Sequence, residues 1–149
     1  MSVERFTILL VEDDPNDVLL VQRAFRKANI INPIQLVGDG EAAITYLAGE
    51  GIYADRTRYP VPGVLLLDLK LPRKSGFEVL QWLREQSELK RLPVVVLTAS
   101  KESPDVNLAY DLGANSYLVK PIAFEALIEL VKTLGLYWLV MNEKPVVGS

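Results

Sequence analysis

The sequence predicts an α/β fold: a five-stranded parallel sheet, doubly wound, with five helices on its two faces. Two observations carry this expectation. Short apolar runs, continuous in the central strand Val64–Leu67 and in Pro93–Leu97, alternate with helical segments five times along the chain, the β-α order that predicts right-handed crossovers and a parallel sheet. In addition, every expected strand except the second runs into polar residues at its carboxyl end, the edge where open parallel sheets place their ligands. The 149 residues suit one domain, expected to span 1–149 with a core over about 6–141 and a flexible tail at 142–149.

Composition narrows the function before any motif is read. Half of the residues are hydrophobic and 23% are charged, which sets disorder aside. A net charge of −3 and a pI near 5.0 argue against a nucleic-acid surface. With neither cysteine nor histidine, disulfides, thiolate metal sites and a histidine phosphocarrier role are excluded for this chain. No apolar run reaches the roughly 18 residues of a membrane span and the polar N-terminus lacks a signal core, so a soluble, cytoplasmic protein is expected.

Phe6–Val11 is the first expected strand, and it ends in Glu12, Asp13 and Asp14. Asp14 before Pro15 marks a helix start, and Val18, Val21, Phe25 and Ala28 recur at helical spacing. Pro33–Val37 is a brief second strand closed by Gly38-Asp39-Gly40, with a helix over Glu41–Leu47. Gly49–Pro62 reads as a long loop, of the kind that is usually functional or mobile. Val64–Leu67 is the central strand, four aliphatic residues delivering Asp68, with Pro72 stopping any extension. Ser75-Gly-Phe-Glu78 fits a capping box for a third helix that buries Val79, Leu80 and Leu83. Pro93–Leu97 forms the fourth strand and ends in Thr98-Ala99-Ser100. Ser103-Pro104-Asp105 opens a fourth helix with Val106, Ala109 and Tyr110 inward, and Gly113 stops it. Ser116–Val119 is the fifth strand, followed by Lys120-Pro121 and a long helix from Ala123 onward.

In a parallel sheet the polar strand ends converge on one edge. Glu12, Asp13 and Asp14, three carboxylates beside one another, make a hard, oxygen-only donor set, which suits Mg²⁺. Lys120 can pair with a carboxylate and a phosphoryl oxygen, and the Thr98 hydroxyl can donate to that same oxygen. Each residue alone has a bland reading. Acids favour helix N-termini through the dipole, Asp68 and Thr98 could serve turns or caps, and Lys-Pro alone carries little signal. Their joint placement at successive strand ends argues for a site.

The motifs Leu-Val-Glu-Asp-Asp, Leu-Leu-Leu-Asp-Leu-Lys-Leu-Pro, Val-Val-Leu-Thr-Ala-Ser and Tyr-Leu-Val-Lys-Pro, spread over about Phe6 to Leu134, closely resemble the receiver domain of two-component response regulators. The resemblance implies a flavodoxin-like sheet of order 2-1-3-4-5. It implies Asp68 as phosphoacceptor, Mg²⁺ held by Glu12, Asp13, Asp68 and the Lys70 carbonyl, and catalytic assistance from Thr98 and Lys120. Thr98 and Tyr117 become the switch pair acting on the face of the fourth helix, fifth strand and fifth helix, Asp14 becomes a helix cap, and Pro121 follows a cis peptide. Lys70 and Ser100 occupy places that vary among receivers and tend to set the lifetime of the phosphate.

The resemblance also implies a partner, a sensor histidine kinase. The extension at Gly49–Pro62 is similar to that of single-domain regulators serving bacterial and cyanobacterial phytochrome-type kinases. Apolar residues crowd the last helix beyond its inward stripe of Phe124, Leu127, Ile128, Val131 and Leu134; they include Leu130, Leu136, Tyr137, Trp138, Leu139, Val140 and Met141. They point to a homodimer through the same face and the tail, with no nucleic-acid or membrane partner. The chain is expected to be a signalling phosphoacceptor that assists its own phosphotransfer and dephosphorylation, not an enzyme acting on other substrates. The alternative is a receiver-fold docking module independent of phosphorylation. A mutase or phosphatase would resemble Asp-x-Asp, but residue 70 is lysine; a nucleotide hydrolase would need a glycine-rich loop that is absent.

Overall fold

A computed structural model describes residues 6–135. The expected residues 1–5 and 136–149, including most of the apolar tail and the flexible end, lie outside the described residues. Strands β1 (Ile8–Val11), β2 (Ile34–Val37), β3 (Val64–Leu67), β4 (Val94–Thr98) and β5 (Ser116–Val119) form one parallel sheet in the order β2-β1-β3-β4-β5. Helices α1 (Pro15–Lys27), α2 (Gly40–Ala48), α3 (Gly76–Arg84), α4 (Ser103–Asp111) and α5 (Phe124–Leu134) connect or follow them. The fold class and strand order expected from the sequence are those observed.

Strand alternation sorts the core into two layers. Leu9, Val11, Leu65, Leu67, Val94 and Val96 face α2, α3 and α4. Ile8, Leu10, Val64, Leu66, Val95 and Leu97 face α1 and α5. Side chains pointing alternately to opposite faces explain why the three central strands are buried at every position and apolar throughout except for Thr98 at the end of β4. Each fully buried valine or leucine contributes on the order of 1.5–3 kcal/mol, so these strands are the rigid part from which the site is hung.

The prolines at the expected starts of the second and fourth strands contribute only carbonyls. Pro33 O accepts from Ile8 N at 2.8 Å and Pro93 O from Leu65 N at 2.9 Å. Lacking an N–H, each stands just before its strand. The expected inward face of α4 is narrower than the sequence suggested. Only Ala109 is buried there; Tyr110 is 49% exposed and Val106 is half-buried. The helix seats on the sheet through a methyl group, which leaves the larger flanking side chains outside. The peptide before Pro121 is trans, correcting the cis bond that the resemblance implied; trans remains the cheaper isomer by about 0.5–1 kcal/mol even before proline.

The Gly49–Pro62 segment is folded onto the body of the protein. It contains a 3₁₀ turn at Gly51–Ala54. Tyr53 and Tyr59 pack edge to face, with centroids 5.0 Å apart, against the buried Tyr46 of α2. Tyr46 Oη donates to Pro60 O at 2.8 Å. Arg56 donates to Tyr46 O and Leu47 O, both at 2.9 Å, and so adds to the backbone bond from Gly49 N in satisfying the carbonyls at the end of α2.

Candidate functional site

The sheet ladder continues one residue past three strand ends and thereby sets the site. Glu12 N donates to Val37 O at 3.1 Å, Asp68 N to Val11 O at 3.1 Å, and Lys120 N to Thr98 O at 2.8 Å. The backbones of the central residues are therefore fixed by the same hydrogen bonds that define the strand order. The loop after Asp68 is fixed as well. Gly76 N donates to Leu69 O at 2.9 Å, and a β-carbon on Gly76 would lie 2.2 Å from Asp68 O, so only glycine fits there. Across the loop, Asp39 caps α2 through Ala42 N at 2.7 Å and pairs with Arg73 at 3.3 Å.

Glu12, Asp68 and Thr98 are buried, and Asp13 is exposed at the rim. Lys120 reaches between the acids from across the sheet. Its Nζ donates to Glu12 Oε1, to Asp17 Oδ2 at 3.0 Å and to Asp68 Oδ2 at 3.4 Å. The other oxygen of each central acid is engaged by backbone: Glu12 Oε2 accepts from Asp14 N at 3.2 Å, and Asp68 Oδ1 from Leu69 N at 2.7 Å. Burial first, and then the charge of Asp68, push the Glu12 carboxyl up to about 7 against the lowering effect of Lys120. For Lys120, burial acts downward, but the hydrogen bond to Glu12 and the charge of Asp68 outweigh it and hold the ammonium firmly protonated.

One carboxylate oxygen from each of Glu12, Asp13 and Asp68 lies within 4.8 Å of the others. An octahedral Mg²⁺ with ligands at about 2.0–2.1 Å spans roughly 4 Å between opposite oxygens, so this hard-donor set fits such an ion with small side-chain adjustment. Asp14 stands apart as the cap of α1, accepting from Asn16 N at 2.9 Å. Asp68, Lys70, Thr98, Ser100 and Lys120 line one cleft of ≈ 510 Å³, with Asp17, Lys101 and Glu102 on its walls.

Tyr117 is off this cleft but connected to it. Its Oη donates to Ser100 O at 2.8 Å, Ser100 Oγ donates to Asp105 Oδ2 at 2.6 Å, and Ser100 N makes a long contact of 3.5 Å to Thr98 Oγ1. Burial raises the Tyr117 phenol, partly offset by its bond to Ser100, so it stays a neutral donor. The sequence gives no sign that Asp17 belongs to the site, and it marks Asp105 only as part of a helix start. Both are acids in the first turn of a helix, where the dipole alone accounts for them; only the folded chain shows that each also grips a group at the site.

Comparison with known proteins bears on the family and the fold. A family model described as the response regulator receiver domain matches residues 8–132. A probable methanogenesis regulatory protein, FilR2 of Methanothrix harundinacea, is 40% identical over 94% of this chain and 88% of its own length. Response regulator Rcp1 of Synechocystis is 40% identical over 89% of this chain and 88% of its own. The crystal structure of the Mn²⁺-bound form of Rcp1 aligns with a TM-score of 0.84 at 38% identity, covering 94% of this chain and 99% of that one. The phosphorylated cyanobacterial phytochrome response regulator RcpA aligns with a TM-score of 0.88 at 37% identity, covering 95% of this chain and 99% of that one.

Proposed function

The chain belongs to the response regulator receiver family of two-component systems, and from that membership we propose that Asp68 accepts a phosphoryl group from a sensor histidine kinase. The observation that carries the reading is the placement of Asp68: a buried carboxylate at the end of β3, 3.4 Å from the Lys120 ammonium and grouped with the oxygens of Glu12 and Asp13. An Asp68 oxygen attacks phosphorus in line, the new O–P bond forms as the P–N bond breaks, and the imidazole leaves. Lys120 lies where it can balance the charge of the incoming oxygens, and Thr98 can donate its hydroxyl to one of them. Mg²⁺, held by Glu12, Asp13, Asp68 and the Lys70 carbonyl, supplies further positive charge for the transferring group when bound.

The switch follows from the hydrogen bonds around Ser100. Drawing Thr98 toward the phosphoryl group perturbs the Ser100 loop, to which Tyr117 and, through Asp105, the first turn of α4 are tied. That biases α4, which rests on the sheet through Ala109, between two arrangements already open to it. The surface so altered carries exposed Leu108, Tyr110, Val119 and Ile122. It is the face we assign to a homodimer together with the C-terminal tail, which lies outside the described residues. A phytochrome-type kinase as donor is supported by the phytochrome response regulator among its structural relatives. Among the described residues no helix is long and apolar enough to cross a membrane, and we place the chain in the cytoplasm beside the kinase.

The test is direct. Incubated with acetyl phosphate and Mg²⁺, the protein gains the mass of one phosphoryl group, and Asp68→Asn abolishes the gain. An unmodified wild-type protein would instead favour the docking module that works without phosphorylation.

A further inference from the structure

The Lys120 ammonium has three N–H donors, and the carboxylates of Glu12, Asp17 and Asp68 all accept from it. Glu12 and Asp68 are explained by the acidic site at the strand ends. Asp17 is not. It belongs to the first turn of α1, its oxygens are outside the group that can hold a metal, and its side chain is 36% exposed on the wall of the same cleft. Yet at 3.0 Å it is closer to the ammonium than Asp68 is at 3.4 Å. The Lys120 backbone is fixed on Thr98, but four flexible methylenes separate it from its charge. The position of the ammonium is therefore decided at its tip, by whichever carboxylates hold it.

We propose that Asp17 is a positioning residue for phosphoryl transfer: from α1 it draws the Lys120 ammonium toward itself, so that Asp68 keeps only the longer of the two bonds, and it yields that ammonium to the phosphoryl oxygens as they arrive. This rests on the reading of Asp68 as the acceptor. Before transfer, Asp17 and Asp68 each offer Lys120 a single negative charge. After transfer, a phosphoryl group offers nearly two charges and three acceptor oxygens, and the ammonium moves toward it. The charge on Asp17 opposes this step twice, by competing for Lys120 and by repelling an anionic phosphodonor at the cleft.

The experiment compares wild type, Asp17→Asn and Asp17→Glu in the full chain with Mg²⁺ and acetyl phosphate. The reaction forms the Asp68 O–P bond and releases acetate, and intact mass is followed over time. Asp17→Asn is expected to take up phosphate about three- to tenfold faster, the effect of one unit charge several ångströms away in partly hydrated surroundings. Asp17→Glu retains the wild-type rate, and all three share one melting temperature. In the unphosphorylated protein the ¹⁵N resonance of Lys120 Nζ shifts in Asp17→Asn and stays near the wild-type value in Asp17→Glu. An Asn variant with the wild-type rate and an unmoved Lys120 resonance overturns the proposal. If the wild type takes up no phosphate, the acceptor reading fails, while the Lys120 resonance still decides whether Asp17 holds the ammonium.

Discussion

At the scale of single residues, the Glu12 carboxyl stands well above its ordinary value. It is pushed up to about 7 by burial and by the neighbouring Asp68. Metal binding needs the carboxylate, so a proton and Mg²⁺ compete for it. The sign follows: above pH 7 Glu12 is ionised and affinity is flat, and below it affinity falls, approaching roughly tenfold per pH unit. Calorimetric titration with Mg²⁺ between pH 5.5 and 8.5 checks this; a flat profile would show that Glu12 ionises as an ordinary carboxylate. The proposed metal and acceptor residues were legible because Glu12, Asp13, Asp68, Thr98 and Lys120 each follow an apolar run. Asp17 and the Ser100–Asp105 contact were not legible, because a first-turn acid looks the same whether it serves a dipole or an ammonium.

At the scale of elements, the loop between β3 and α3 is the most constrained part of the site. Gly76→Ala drives a β-carbon to 2.2 Å from Asp68 O, and overpacking of this kind costs about 1–3 kcal/mol. Because the clash is with the backbone of the acceptor itself, phosphate uptake should fall together with stability in urea denaturation. Gly38→Ala, which meets nothing within 4 Å, is the control and should stay within about 0.5 kcal/mol of wild type. In the Gly49–Pro62 segment, Arg56→Ala removes the donor to Leu47 O and one of the two donors to Tyr46 O, which keeps the Gly49 N–H. Hydrogen bonds to a charged group are worth about 1.5–3 kcal/mol each, less when half exposed, so the net loss should be near 1–2 kcal/mol. Hydrogen exchange should quicken at 46–60 first; unchanged protection there would mean that the tyrosine cluster alone holds the segment. The sequence showed an extension rich in glycine, proline and tyrosine, but its order comes from rings and carbonyls distant in sequence.

At the scale of the whole molecule, the two halves of the core do different work. The α1 and α5 layer is sealed by Val21, Phe25, Leu127, Val131 and Leu134. On the other face, α4 is seated by Ala109 alone and leaves Leu108 and Tyr110 exposed. An element with little buried area is the one most easily shifted; the exposed Val119 ends β5, the strand that follows α4, and the exposed Ile122 lies between β5 and α5. Sedimentation should show self-association that Leu108→Glu combined with Ile122→Glu removes. Both residues are exposed, so folding stability should change by no more than about 0.5 kcal/mol each, and uptake from acetyl phosphate should persist. A wild-type protein that stays monomeric at micromolar concentration, with and without phosphate, would sink the dimer.

By itself the sequence determined the five strands, their parallel direction and the acids, hydroxyl and lysine at their ends: in the three central strands burial on both faces demands aliphatic runs that stop only at polar residues, and the two edge strands follow from their place in the β-α alternation. Tertiary structure alone decided what those end groups grip. The ladder bonds of Glu12, Asp68 and Lys120, the trans peptide at Pro121, the half-seated α4 and the sharing of Lys120 with Asp17 all join residues far apart in sequence or depend on how much volume a neighbour leaves free. Local pattern reports which face of an element is buried; the distances across the sheet are set only when every face is packed at once.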